Sequence, residues 1–484
     1  MDLGDLDREM TATTLGIGLL ILYFGFLKVV ASWAHRHSSG SIEDYFLASR
    51  SLGVLVLTGT LTATIVNGLA VTGTPALFYR GGLLYGQMFV VVTISCLLMW
   101  WLGPKICLDG RKSGNITQAE YLAQHYNSNL IHALSAGLGL LALLPFLAVQ
   151  IAGVGKVVAV VTGGEISFHV GAGLCVLSVA AYVFFGGVRA VVMTDLLQGF
   201  IVLAFLVVSA FAFVYWAGGS AATLAEINRV MPEKLTFNET NTPAFLDNVL
   251  SWSFALFLLP HVFQRLFMTE TPQRVQRTAV LSLALLLVGV VTTLAMAMAA
   301  TATFYGNLQD PDHLIAAMYQ RYWPLGGVFL ALVLFALTMS TIDSMLLTAS
   351  SIVTRDFWCL LFGQELSTTR GFALARWMAL LLLGLASMIA FTGIGRSAIV
   401  PWFTISAAVS TLLLWPLIGV FWQRATSQGV IAAMVLGFFA ICTLRFTNLG
   451  AGVPLGFASV GFLVGAASFF SVSLLTAGHS TRTY

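Results

Sequence analysis

Four polar residues fall within little more than one helical turn of an apolar stretch: Ser340, Thr341, Asp343 and Ser344, in ALTMSTIDSMLLTASSIVTRDF from Ala336 to Phe357. Positions three and four apart stack on a helix, so Ser340, Thr341 and Ser344 share a face. Their oxygens could replace the water shell of a small hard cation. The alternative is that Ser and Thr hydroxyls bond back to carbonyls one turn earlier, as they do in membrane helices. Asp343 favours the cation, because an ionisable group at mid-membrane costs roughly 2.5 to 3.5 kcal/mol on insertion scales and usually lines an ion or solute path.

A second kind of chemistry is available where the backbone itself can be freed. The stretch LTGTLTATIVNGLAVTGTPALFYRGG is dense in Gly and Thr, and unwinding near Asn67-Gly68 would release the carbonyls of Ala63 and Val66 toward a cavity. Far along the chain, SWSFALFLLPHVFQRLF carries Pro260-His261 near its middle, where proline removes a helix hydrogen bond and kinks the helix. His261 there either offers a proton donor to a carboxylate or packs against a freed carbonyl.

Both stretches lie in a chain built to cross membranes. Hydrophobic residues make up 58% of 484 positions and charged residues 9%, which is too little polar surface to coat a soluble globule. Apolar runs of about 20 residues, long enough for a hydrocarbon core about 30 Å thick, recur about thirteen times. They fall near 11–34, 52–80, 83–106, 128–162, 167–187, 190–217, 246–269, 276–305, 324–356, 369–392, 397–421, 426–447 and 454–477. The two interrupted runs head two consecutive groups of five, the pattern of an inverted-repeat transporter with a midplane site. A roughly twofold excess of Lys and Arg on one set of loops places the N-terminus outside and the C-terminus inside. The acidic start MDLGDLDREM argues for a retained first helix rather than a signal peptide. The loop at 306–324 contains HLIAAMYQRYW, which could lie as a short amphipathic helix over an entrance, and NITQAEYLAQHY at 115–126 reads as an interfacial helix capped by Asn115 or Thr117. Five scattered cysteines show no metal-ligand spacing and are expected to be packing residues. No paired catalytic aspartates, HExxH or nucleophile elbow appears, so an enzyme is not expected.

The chain resembles the sodium:solute symporters over essentially its whole length. The resemblance rests on DYFLASRSLG (44–53), the stretch through Tyr79-Arg80-Gly81-Gly82-Leu83, GGVRAVVMTDLLQ (186–198), PHVFQR (260–265), MSTIDSMLLTASSIVTRD (339–356) and WPLIGVFWQRATSQG (415–429). It implies an all-α leucine-transporter-type fold in one transmembrane domain. Residues 1–51 would form an extra helix and loop, 52–421 a ten-helix core of two inverted fives, and 422–484 two further helices and a short tail. The family's principal sodium site, carried onto this chain by motif, joins the carbonyls of Ala63, Val66 and Leu337 to the side chains of Ser340 and Thr341. A second cation site seen in some members would involve Asp195, Ser340, Asp343 and Ser344. Several members have Ser where Asp343 stands, so that site could be stronger, altered or taken by a proton.

Sodium-coupled import of a small organic solute across a bacterial inner or plasma membrane follows as the expected function. Sugar-carrying members have an amide and a carboxylate at positions that become Ala70 and Phe89, which makes a sugar unlikely here, since its hydroxyls would be left unpaired. LTAT at Leu61 to Thr64 and Leu259-Pro260-His261 are similar to the pantothenate and monocarboxylate permeases, so the expected solute is a carboxylate. Wall candidates are Asn67, Thr72, Thr74, Gln87, Gln150, Trp252 and His261, each of which could equally be helix-packing polar glue. Proton coupling, a proline-like amino acid as solute, and a solute sensor acting through a separate partner remain open. The expected partners are the solute and the bilayer, not nucleic acid; one chain suffices for transport, and association into oligomers is left open.

Overall fold

A computed structural model describes residues 41–484 except 163, 238–241, 307, 309, 364–367, 393–398, 448–454 and 478–484, and scattered residues between 18 and 36. The expected first run, 11–34, therefore lies mostly outside the described residues. Among those described, every regular element is helical.

Helix α1 (Ile42–Leu47) starts on Ser41, whose Oγ accepts from the Asp44 amide at 3.0 Å. It ends because Ala48, Ser49 and Arg50 all take left-handed φ values of 51°, 53° and 53°. That turn sends the chain through 111° into the first broken helix. α2 (Val54–Ile65) stops at Val66 and Asn67, and α3 (Gly68–Gly81) restarts with the Asn67 side chain capping the Ala70 amide at 3.1 Å. The unwinding falls where the Asn-Gly pair suggested.

Next come α4 (Gln87–Ser113), α5 (Gln118–Tyr126), α6 (Asn129–Val161) and α7 (Phe168–Trp216). The cap of α5 is Thr117, in a reciprocal capping box with Glu120. α7 holds two expected spans in one run, divided at Gly187 (φ 59°, ψ −173°), a conformation glycine adopts without a Cβ penalty. After the surface helix α8 (Ser220–Val230), the second broken helix follows: α9 (Thr242–Leu258) and α10 (Pro260–Phe263), the latter extended by a turn to Phe267 and bent 47° from α9. Leu259 carries the break, and Pro260 opens α10 at a position where no amide is missed.

The chain continues through α11 (Pro272–Phe304), the short α12 (Leu314–Tyr322) and α13 (Pro324–Ser351). α13 runs into a π-helical turn at Ile352–Phe357 and then α14 (Trp358–Phe362). Every residue from Leu334 to Ser351 is buried, which makes α13 the axis around which the rest packs. α15 (Thr368–Phe391), α16 (Ile399–Thr411), α17 (Leu414–Phe421), α18 (Ser427–Phe446) and α19 (Phe457–Thr476) complete the described chain. Each expected span after the first falls on a helix or helix pair. By length and apolarity, nine described helices are long enough to cross a membrane, or up to eleven if each bent pair is one span, so the count of thirteen is not reached among the described residues.

Candidate functional site

At the Val66–Asn67 break the last carbonyls of α2 have no partner in the next turn and must bond elsewhere. α13 supplies that partner. Ser340 Oγ donates to Ala63 O at 3.1 Å and lies 3.0 Å from Leu337 O; Thr341 Oγ1 lies 3.5 Å from Thr64 O and 3.1 Å from Leu337 O. Both hydroxyls therefore back-bond within α13 and also reach across to the broken helix. A cluster of carbonyl and hydroxyl oxygens results, with Ser340 and Thr341 wholly buried.

Close approach of the backbones makes this possible. A Cβ on Gly68 would lie 2.6 Å from Thr338 Oγ1, and one on Gly59 would lie 3.1 Å from the Cα of Leu196 in α7. Four of the five expected ligands, Ala63, Leu337, Ser340 and Thr341, are thus brought together. The second carbonyl facing the hydroxyls is that of Thr64, whereas Val66 forms the exit from α2 at ψ 86°, where the chain has already left the helix.

The neighbouring cluster contains a residue that sequence reasoning missed. Arg265 is only 2% exposed. Its Nη2 lies 2.7 Å from Ser344 Oγ, 2.5 Å from Thr64 Oγ1, 3.0 Å from Thr60 Oγ1 and 3.4 Å from Asp195 Oδ2, and its Nη1 donates to His261 O at 2.6 Å. Thr60 Oγ1 in turn donates to Asp195 Oδ2 at 2.5 Å. Of the residues expected to hold a second cation, Asp195 and Ser344 are engaged by this guanidinium and Ser340 belongs to the carbonyl cluster. Asp343 is buried within electrostatic reach of Asp195 and Arg265, and its Oδ1 has no hydrogen-bond partner. The signal for Arg265 was present in PHVFQR: an arginine one helical turn beyond His261 points back into the break.

Beside the break lies a cavity of about 250 Å³, walled by Thr64 to Asn67 on one side and by Leu259, His261 and Val262 of the second break on another. Its wall is largely apolar and aromatic: Trp252 stacks on Phe403 with centroids 4.1 Å apart, and Phe146 meets Phe403 edge-on at 4.8 Å. Polar groups are few. Gln87 Oε1 and His261 Nδ1 are buried with no hydrogen-bond partner among the described residues. Toward the surface the cavity is bordered by Arg80, which pairs with Asp312 at 3.0 Å.

Of the other expected wall residues, Asn67, Thr74 and Trp252 line this cavity, although the Asn67 side chain also caps α3. Gln150 is buried in α6, with its Nε2 left without a hydrogen-bond partner among the described residues. The side chain of Thr72 lies outside the described residues.

On the opposite side of Pro260 from the cavity, Gln264 spans the packed helices. Its Nε2 donates to Ile116 O and Ser351 Oγ, both at 3.2 Å, and its Oε1 accepts from Thr348 Oγ1 at 2.6 Å. Nearby, Asp356 Oδ1 accepts from Thr117 Oγ1 at 2.7 Å and meets His132 Nε2 at 2.8 Å, while Arg355 pairs with Glu120 at 2.9 Å. The π-helical turn presents these adjacent charged residues to different partners, Asp356 to Thr117 and His132 and Arg355 to Glu120.

Two helices broken at the level of a buried oxygen cluster, with a small cavity between them, define a secondary transporter of ions and solute. The sequence model of the sodium:solute symporter family matches residues 45–437. The chain belongs to that family. Among its relatives, the sodium/pantothenate symporter of Escherichia coli (strain K12) is 28% identical over 456 residues, covering 90% of this chain and 91% of the relative. The sodium/proline symporter of Staphylococcus aureus (strain JH9) is 25% identical over 445 residues, covering 87% and 84%. In fold, the chain is similar to a sodium-coupled sialic acid symporter solved substrate-bound and outward-open (TM-score 0.79, 17% identity, 96% and 98% covered). A nucleobase-cation-symport-1 family transporter in a closed conformation gives a TM-score of 0.57 at 11% identity, covering 90% and 95%. The fold is thus of the leucine-transporter type, and the protein is a sodium-coupled symporter of a small solute, not an enzyme.

Proposed function

We propose that sodium is held by the carbonyls of Ala63, Thr64, Val66 and Leu337 with the hydroxyls of Ser340 and Thr341, and that the solute it drives is a small carboxylate. The observation that carries this reading is that one break serves both ligands. Residues 64–67 wall the cavity, while the carbonyls of Ala63 and Thr64 meet the α13 hydroxyls. An ion that draws α2 against α13 therefore shapes the solute wall directly. The coupling is reciprocal, because a solute that favours the same closed wall strengthens the ion.

Both hydroxyls can turn their lone pairs to a cation once it arrives, since a hydroxyl is donor and acceptor alike. A carboxylate suits the cavity because the unpartnered His261 Nδ1 can meet it, with the α3 N-terminus nearby and an apolar and aromatic wall for the remainder. Pantothenate and proline, named for two relatives, both carry one. Gln87 Oε1 is an acceptor that a hydroxyl, amide or ammonium on the solute would satisfy.

The cavity borders Arg80 and Asp312, on the side that the loop charges assign to the outside, with the C-terminus inside. On this reading residues 52–421 form the transporting core, one chain carries the whole site, and association into oligomers is not required. Uptake of pantothenate, proline and short monocarboxylates into proteoliposomes, with sodium or with potassium as control, tests the proposal. Sodium-dependent uptake of at least one carboxylate supports it. Uptake that follows a pH gradient and ignores sodium refutes the coupling ion.

A further inference from the structure

Asp195, Asp343 and Arg265 are 0%, 2% and 2% exposed, and they are the charged groups that face one another beside the carbonyl cluster. When both carboxyls are ionised, the pair leaves one negative charge uncompensated against the one guanidinium. Each carboxyl keeps one free oxygen, because Asp195 Oδ1 and Asp343 Oδ1 have no hydrogen-bond partner among the described residues. The position between Asp195 and Ser344 is filled, because Nη2 of Arg265 lies 3.4 Å from one and 2.7 Å from the other. Arginine does not lose its proton in proteins, so this charge is permanent. Its fork is also fixed, by the two hydroxyls of α2 and by the His261 carbonyl.

We infer that Arg265 is a resident cation standing in the second ion position, and that the protein binds one sodium ion per cycle with Asp343 as its counter-charge. The inference rests on the sodium site proposed above. One sodium ion at Ser340 and Thr341 brings the buried cluster to neutrality. A second would give it net positive charge beside a guanidinium that cannot leave, and buried unpaired charge is costly.

Counting radiolabelled sodium bound to the purified protein at saturation tests this. The expected result is one ion per chain, a Hill slope of one, and loss of binding in Ser340→Ala. Two ions per chain, still sensitive to Ser340→Ala, overturn the inference and leave the sodium reading standing. No saturable sodium binding removes the sodium reading itself. Asp343→Asn preserves shape and removes charge, and its sodium Kd is expected to rise roughly tenfold or more with an unchanged gel-filtration profile. An unchanged Kd overturns the counter-charge role. In Arg265→Gln the count is expected to reach two; a folded variant that still binds one refutes the claim that the guanidinium excludes the second ion. If that variant fails to fold, the wild-type count decides.

Discussion

A hydroxyl within reach of carbonyls on two segments in a dry interior can tie one to the other, and Ser340 and Thr341 sit in that position between α2 and α13. Removing either oxygen leaves the Ala63 or Thr64 carbonyl short of a partner and, on the proposed reading, takes one ligand from the ion. Ser340→Ala and Thr341→Ala are each expected to weaken the apparent sodium affinity of uptake by roughly tenfold or more, read from sodium titrations in proteoliposomes. His261 is expected to act on the solute instead. In His261→Ala the KM for the carboxylate should rise while sodium affinity in the absence of solute changes little; an equal loss of both would place His261 in the ion site. Ser340, Thr341 and the carbonyl of Ala63 were legible in sequence because hydroxyl spacing on a helix and an Asn-Gly break are local signals. Arg265 was not, because its partners Thr60, Thr64, Asp195 and Ser344 lie on three other helices, and sequence distance hides a cluster of that kind.

At the scale of elements, the breaks were readable from Gly and Pro, but how closely the broken pieces approach their neighbours was not. α2 meets α7 at Gly59, where a side chain would press on the backbone of Leu196. Gly59→Val is expected to destabilise the protein by about 1–3 kcal/mol, measured as a lower midpoint of thermal unfolding in detergent, since overpacked cores cost about that much. Gln264 presents the opposite case, a removable clasp between α10, the loop before α5, and α13. In Gln264→Ala the face that Gln118 lines should open more readily. In a chain whose native cysteines are replaced, a cysteine at Gln118, both of whose amide atoms are buried without a partner among the described residues, should then label faster with a membrane-impermeant thiol reagent added to the side on which this face opens. Labelling at the unaltered rate would show that Gln264 does not hold this face closed.

For the molecule as a whole, the ion count fixes how transport feels the membrane potential. One sodium ion moving with one monocarboxylate carries no net charge, so steady-state accumulation should not change when a potassium diffusion potential is imposed. A zwitterion such as proline moving with one sodium ion would instead gain about 2.3 kcal/mol per 100 mV, close to fiftyfold in accumulation. For a solute of known charge, the same measurement thus reads the stoichiometry.

The ends of the two broken helices at Leu52 and Phe267 are also sewn together. The Leu52 amide donates to Met268 O at 3.0 Å, Thr269 Oγ1 to Leu52 O at 2.9 Å, and Arg50 reaches both Phe267 O and Asn115 O. Neither end can swing without dragging the other. Fluorophores on these two ends should therefore keep a constant separation through the transport cycle, while each changes its distance to a third on α14. On this reading, a doorway at this end would have a single leaf, hung from two hinges far apart in the chain.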